Sequence, residues 1–411
     1  MTTAWRMWAL AAAFYLVAIF HRMSLGVASL DAAERFGVAA GTIALLSTVQ
    51  LGFYLAMQIP AGLLADRIGP RRSLTLGLVA MGVGELLFAV SPSIGPAIAG
   101  RALVGIGDAC MFLNVLRVAA HWLPPRRYAL AAALTAACGA FGQLLSTAPL
   151  SAALSGLGWT PTFAASGVLT AALAYLAVSR IQDRPRDPEP APVPTTLAER
   201  IRTVAPEHPP IVPALRKAWR SPATRHGLWV HFALNAPFVT LTGLWAYPYL
   251  VEGQGVAPGT AAAMLAAAVI TFGVSAPVLG AVAGRIPHAV PTLAAAIAVT
   301  TAAGLATMLG WPGGHPPLAL IAAVLALSGF AGAGSMLAFT LAREGGGSAS
   351  GMVNIGGFGA AIVGQAAIGL LVSVHLDYRL ALTPLLALVV WGAVQTVRHA
   401  SLPLPWSSSK A

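Results

Sequence analysis

Four ionisable side chains lie inside long apolar runs of this 411-residue chain: Arg22, Glu85, Arg101 and Asp108. A charge at the centre of a membrane helix costs about 2.5–3.5 kcal/mol on insertion scales, so each is a candidate for function. Arg22 could grip a carboxylate, a phosphate or another oxyanion through its planar fork of donors. It could equally be the static ion partner of Asp108. Asp108 in turn reads as a proton-carrying carboxylate or as the counter-ion of Arg22 or Arg101. Glu85 reads as a buried structural contact or as a second proton carrier, and Arg101 as a structural tie. His21 adjoins Arg22, and His231 and Asn235 lie at i and i+4 on one helix face. These three are candidate substrate ligands or proton relays, or else satisfied core residues. No carboxylate or cysteine cluster surrounds the histidines, so no metal site is expected. Ser328 and Ser335 share another face, where a hydroxyl often bonds only its own backbone. Cys110 and Cys138 are too few for a disulfide framework and read as small buried hydrophobes.

The elements that must position these residues follow from composition. Apolar residues make up 57% of the chain and charged residues 9%, where soluble domains carry about 25% charge. Mean hydropathy is +0.77. A disordered chain, a disulfide-stapled secreted domain and an ordinary soluble enzyme are all disfavoured. A polytopic, all-α membrane protein is expected. Twelve spans are read at 7–30, 42–64, 73–93, 97–122, 128–152, 160–180, 226–250, 259–283, 289–310, 317–342, 350–374 and 380–398. The runs lack the alternation of barrel strands. The first run contains His21 and Arg22 and is expected to stay as a membrane helix rather than be cleaved. The net charge of +11 does not point to nucleic acid, because its cations lie between apolar runs, as membrane topology requires. Arg67, Arg71, Arg72, Arg126, Arg127 and nine basic residues from Arg180 through Arg225 fall on one side. Arg35 and Arg379 fall on the other. Both termini are therefore expected in the cytoplasm. The hydrophilic segment 181–225 divides the spans six and six. Its Pro-rich start reads as a semi-rigid linker. Its end, Ala214–Arg220, reads as a basic amphipathic helix at the anionic inner leaflet or as a plain solvated linker. The span centred near Val17–Ala18 puts Arg22 about 6 Å from the midplane, and Asp108 falls close to the midplane of span four.

Between spans two and three the chain reads Gly62-Leu63-Leu64-Ala65-Asp66-Arg67-Ile68-Gly69-Pro70-Arg71-Arg72. This strongly resembles the cytoplasmic loop signature of the major facilitator superfamily. Gly280–Arg285 looks like a decayed copy in the second half, and Arg101–Gly107 is similar to the family's span-four pattern. The resemblance implies two six-helix bundles, residues 1–180 and 226–411, joined by a cytoplasmic linker, 181–225. It implies a secondary transporter of a bacterial inner membrane, working by alternating access, with spans one, four, seven and ten lining a central cavity. In the family the loop acts as a gate between the halves, through Gly62, Asp66, Arg67, Gly69, Arg71 and Arg72 here. The physical reading beside it is simpler. Gly62 and Gly69 permit close contact and a sharp turn, Asp66 needs Arg67 or a helix N-terminus as partner, and the arginines serve topology.

A finer similarity, to the organophosphate:phosphate antiporters, rests on Phe20–Leu25 and Arg117–Leu123. Those proteins clamp phosphate with a second arginine on span seven. Here His231 and Asn235 stand in that region, so a dianionic phosphate is not expected. The run Ser348–Gly357 resembles span eleven of many members. No nucleotide-binding loop occurs, which argues against direct ATP drive. The expected substrate is a small organic anion coupled to protons, with Asp108 and Glu85 the candidate carriers. An amphipathic drug-like compound exported against protons is the alternative, and a membrane sensor or scaffold the alternative of another class. No enzyme chemistry, no cofactor and no nucleic-acid partner are expected, and the chain is read as a monomer in the lipid bilayer.

Overall fold

The computed structural model describes residues 2–184, 211–342 and 346–400. Within them every expected span is helical and no strand occurs. Nine helices among the described residues are long and apolar enough to cross a membrane. In the first half these are built from α1 (Thr3–Met23), α2 (Leu25–Phe36), α3 (Ala40–Val90), α4 (Ile94–Asp108), α5 (Met111–Trp122), α6 (Pro125–Leu145), α7 (Ala148–Leu157) and α8 (Trp159–Arg180). After α9 (Ile211–Arg220) come α10 (Pro222–Thr240), α11 (Pro258–Arg285), α12 (Val290–Leu309), α13 (Leu318–Gly334), α14 (Leu337–Leu341), α15 (Gly346–Ser373), α16 (Tyr378–Ala381) and α17 (Thr383–Ala400). The seventh span starts at Pro222, four residues earlier than expected. Ser221 supplies the start signal: its hydroxyl accepts from the Thr224 N–H at 3.4 Å, and Pro222 follows it at the first helical position.

α3 holds two spans in one run because only a single residue breaks it. Gly69 takes φ 82°, ψ 163°, a conformation closed to residues with a Cβ. Pro70 then opens the second limb with its φ already set. Spans one, four, five and ten are also interrupted, and span seven widens along its length. The break after α1 follows from competition for the His21 carbonyl, which accepts from the Ser24 hydroxyl and from Arg101 Nη2, both at 3.0 Å. Past α4, the amide of Asn114 takes the Cys110 carbonyl at 2.6 Å. α10 contains Pro237 and widens into π-helical turns at Leu241–Trp245 and Tyr249–Gly253, with the Thr242 hydroxyl bonding the Phe238 carbonyl at 2.7 Å. α13 stops at Ser335, whose hydroxyl bonds the Gly332 carbonyl at 2.6 Å. Irregular backbone at membrane depth needs such substitute partners, because lipid supplies none.

Helices pack closely through small residues. α3 packs on α4 and α8, and α1 on α5 and α6; in the second half α10 packs on α13, α15 and α17, and α11 on α13. Across the halves α3 meets α15, α11 meets α6 and α7, and α2 meets Leu241–Trp245. The contact between α3 and α15 is backbone to backbone, since a Cβ on Gly41 would collide with the Gly369 carbonyl oxygen; where α2 meets Leu241–Trp245, one on Gly26 would collide with that of Thr242. Two of the three buried apolar clusters draw on both halves. The third, from Ala218 to Ala393, belongs to the second half alone. The halves are thus joined at the end carrying the turn after Phe36 and through the middle.

Candidate functional site

Arg22, two residues before the break in span one, meets Asp108, the last residue of α4. Its Nε donates to Asp108 Oδ2 at 2.6 Å and its Nη2 to Oδ1 at 2.7 Å. The pair is bidentate and buried. Two aromatic rings flank the guanidinium on one side, Tyr54 of α3 at 4.1 Å and Phe358 of α15 at 5.5 Å from ring centroid to Cζ. The two rings touch at 5.2 Å. The cation therefore sits where the halves meet, stacked on one residue from each, the environment a guanidinium tolerates best.

Beyond Phe358 lies the second-half group. His231 contacts the rings of Phe358 at 6.2 Å and Phe339 of α14 at 5.2 Å. It fits because Gly357 has no side chain to fill that space. His231 Nδ1, Asn235 Nδ2 and Thr240 Oγ1 are buried with no hydrogen-bond partner among the described residues. Gln50, one turn from Tyr54 on α3, is 1% exposed with both amide atoms unpartnered. Unpaired buried polar groups each cost about 1–3 kcal/mol, which marks these four side chains as candidates for contact with a polar occupant.

A second buried network lies on the other side of Arg22. His21 Nε2 bonds Thr170 Oγ1 of α8 at 2.7 Å, and its Nδ1 is 3.2 Å from Glu85 Oε1. Arg101 Nη1 lies 3.8 Å from Glu85 Oε2 and 3.2 Å from Ser24 Oγ. Its guanidinium also stacks on Phe88 at 5.2 Å. Arg101 is thus the structural tie that the sequence suggests. His21 points away from Tyr54 and Phe358, into the first half. Ser328 bonds the Leu325 carbonyl at 2.7 Å and, like Ser335, serves its own backbone. Cys110 and Cys138 are both free thiols.

The loop after Gly69 docks on the end of α8. The Arg71 N–H donates to Asp183 Oδ1 at 2.7 Å, and the Arg71 guanidinium bonds the Val178 carbonyl. His121 and Trp122 bond the carbonyls of Asp183 and Gln182 at 3.1 and 2.9 Å. Arg67, Arg71 and Arg72 are exposed. The side chains of Gly62, Asp66 and Arg126 fall outside the described residues, as do Arg200, Arg202 and most of the linker. Among the described residues, Arg71 thus bonds Val178 of α8 and Asp183 just past its end.

Sequence reasoning singled out Arg22, Asp108, His21 and Glu85, and the structure brings them together in two adjoining pairs. It missed Tyr54, Phe358, Thr170, Gln50 and Asp183. Gln50 and Tyr54 share a face at i and i+4 within an apolar run, a signal present in the sequence. Phe358 carries no local signal, since an aromatic on a membrane helix usually faces lipid or core.

The sequence profile described as Major Facilitator Superfamily matches residues 10–365. A protein named probable sulfoacetate transporter from Cupriavidus necator is 24% identical over 42% of this chain and 40% of its own length. A sodium-dependent phosphate transport protein of Arabidopsis thaliana chloroplasts is 22% identical over 58% of this chain and 47% of its own. A protein of Escherichia coli named probable L-galactonate transporter is 32% identical over 37% and 34%. The chain thus spans less than half the length of these curated relatives. Among solved structures, a bacterial homologue of the human lysosomal transporter Spinster, in an inward-facing, unoccupied conformation, superposes with TM-score 0.73 at 15% identity. That match covers 98% of this chain and 96% of the other.

Proposed function

We infer, for a chain that belongs to the Major Facilitator Superfamily, that it is a secondary transporter of small organic anions. The observation that carries this is the bidentate Arg22–Asp108 pair, buried against Tyr54 and Phe358 where the halves meet. A planar fork of charged donors, dry and stacked, is complementary to a carboxylate or sulfonate. In the empty state Asp108 fills the fork. An arriving anion competes for the same donors and frees the Asp108 carboxylate, which can then take up a proton. Binding and protonation are thereby linked without a metal or nucleotide. Gln50, His231 and Asn235 supply neutral donors for the rest of the anion. The relatives named for sulfoacetate, phosphate and L-galactonate support an anionic class.

The same reading includes two helical halves, 1–180 and 226–411, rocking about this site, with 181–225 as a cytoplasmic linker. It places the chain as a multi-pass monomer in a bacterial inner membrane, both termini inside, coupled to protons. The experiment uses the purified full chain and a panel of sulfoacetate, L-galactonate and inorganic phosphate. At least one anion should raise the melting temperature of the parent, and Arg22→Gln should abolish that rise in a folded protein. An Arg22→Gln variant that responds like the parent would overturn the anchor. A parent stabilised only by lipophilic amines would favour the drug-exporter alternative. Anion binding without uptake into proteoliposomes would favour the sensor.

A further inference from the structure

We propose that α9 is a docking surface for anionic phospholipids of the adjoining membrane leaflet, with Arg216, Lys217 and Arg220 gripping lipid phosphates and Trp219 seated among the headgroups. The surface stands on the membrane-embedded fold alone; that this leaflet is the inner one rests on the topology proposed above.

The spacing of the cations comes first. Positions 213, 216, 217 and 220 follow the i, i+3, i+4, i+7 pattern that puts side chains on one helix face. Arg216, Lys217 and Arg220 are exposed, and with Pro213 they line one groove of about 350 Å³. Another face of the helix is held by protein. Ala218 is 4% exposed and belongs to a buried cluster with Ala342, Ala349 and Val353, and α9 packs on α15 and α10. The helix is therefore fixed to the second half rather than floating as a tether. It is also fixed at the foot of a span, because only Ser221 separates it from α10. The Ser221 N–H donates to the Ala218 carbonyl, and the Arg225 N–H to the Ser221 carbonyl, each at 3.1 Å. The chain thus passes from α9 into the seventh span with no loop between them.

Charge and the tryptophan identify the occupant. Like charges three and four residues apart on a helix repel one another, and among the described residues none of the three cations enters an ion pair. Trp219, beside them in sequence, is 53% exposed. Its ring has an apolar body and a single N–H donor, the combination that gathers at membrane–water boundaries. Water would solvate the cations and leave the ring wet. The hydrocarbon core would take the ring and strand the cations. The headgroup layer suits both. Its phosphates accept from the guanidinium forks and from the ammonium group, and clustered cations next to a span are drawn to an anionic leaflet.

Two measurements on the full chain test this. In the first, native mass spectrometry of the detergent-solubilised protein compares phosphatidylglycerol with phosphatidylcholine of the same acyl chains. The parent should bind phosphatidylglycerol at least tenfold more tightly, and Arg216→Gln/Lys217→Gln/Arg220→Gln should lose that preference. Arg180→Gln/Arg184→Gln/Arg285→Gln removes equal charge from other exposed positions and should keep it. No preference in the parent, or equal loss in both triple variants, would overturn the surface. Inorganic phosphate should leave lipid binding unchanged; displacement of the lipid would make this a site for soluble anions instead. The second measurement needs no charge variant. In nanodiscs of mixed lipid, Trp219 emission, taken as the difference between the parent and Trp219→Phe, should be quenched more by brominated phosphatidylglycerol than by brominated phosphatidylcholine. Equal quenching by the two lipids, or none, would also overturn the surface. Neither readout depends on transport or on which side of the membrane carries α9, so failure of those readings leaves this test intact.

Discussion

At the residue scale the decisive feature is a charge pair that is bidentate, stacked and dry. Removing one member of a buried pair leaves the other uncompensated, at about 3–5 kcal/mol. Asp108→Asn should therefore lower stability by about that amount, and the double variant Arg22→Gln/Asp108→Asn should recover part of it. Thermal unfolding of the three variants checks the stability cycle. If Arg22 anchors the anion as proposed, the double variant should recover stability without recovering the anion-induced shift, and recovery of both would make the pair purely structural. Gln50 tests the neutral part of the site. Its amide is buried without a partner, so Gln50→Leu should leave stability unchanged or raise it, by up to about 1–3 kcal/mol. Anion affinity should fall in the same protein. A loss of stability would mean that the amide is satisfied by a structural water.

At the element scale the device is the interrupted helix. Span one, for instance, breaks because Ser24 and Arg101 compete for the carbonyl of His21. Neither interaction can be read from hydropathy, which sees one continuous apolar run over residues 7–30. The loop after span two behaves differently, because its geometry is written in glycine. Gly69 holds φ 82°, and a Cβ there would strike the Asp183 carboxylate. Gly69→Ala should cost about 1–2 kcal/mol from the left-handed backbone alone, read as a lower melting temperature. Asp183→Asn should loosen the same loop by weakening the acceptor for the Arg71 N–H. Faster amide exchange at Arg71 and Arg72, with α10–α17 unaffected, is the expected signature.

At the scale of the whole molecule, the halves meet through polar and glycine contacts. Ser47 Oγ donates to Gln365 Oε1 at 2.7 Å and Gln143 Nε2 to Thr242 Oγ1 at 3.0 Å. Gly41 and Gly369 let α3 and α15 touch there. A larger residue should hold this end apart. Gly369→Leu should raise thiol labelling of Ser47→Cys at least tenfold, from the side where Arg35 and Arg379 lie. Unchanged labelling would mean that this contact does not close the end. Topology has its own check: cysteines at positions 202 and 408 should react only from the cytoplasmic side.

Composition, the Lys/Arg asymmetry and the Asp66–Arg72 signature were enough to determine a many-spanned helical membrane protein of this superfamily, because hydropathy and charge placement act locally along the chain. Arg22 and Asp108 were legible too, since an ionisable residue in an apolar run advertises itself. What only the tertiary structure decided is who faces whom. Residues 86 positions apart close a bidentate pair. Phe358, from the other half, stacks on that cation. His21, next to Arg22 in sequence, meets Glu85 and Thr170 instead of Tyr54 and Phe358. A helix offers its side chains all round, and the side that becomes buried depends on neighbours distant in sequence.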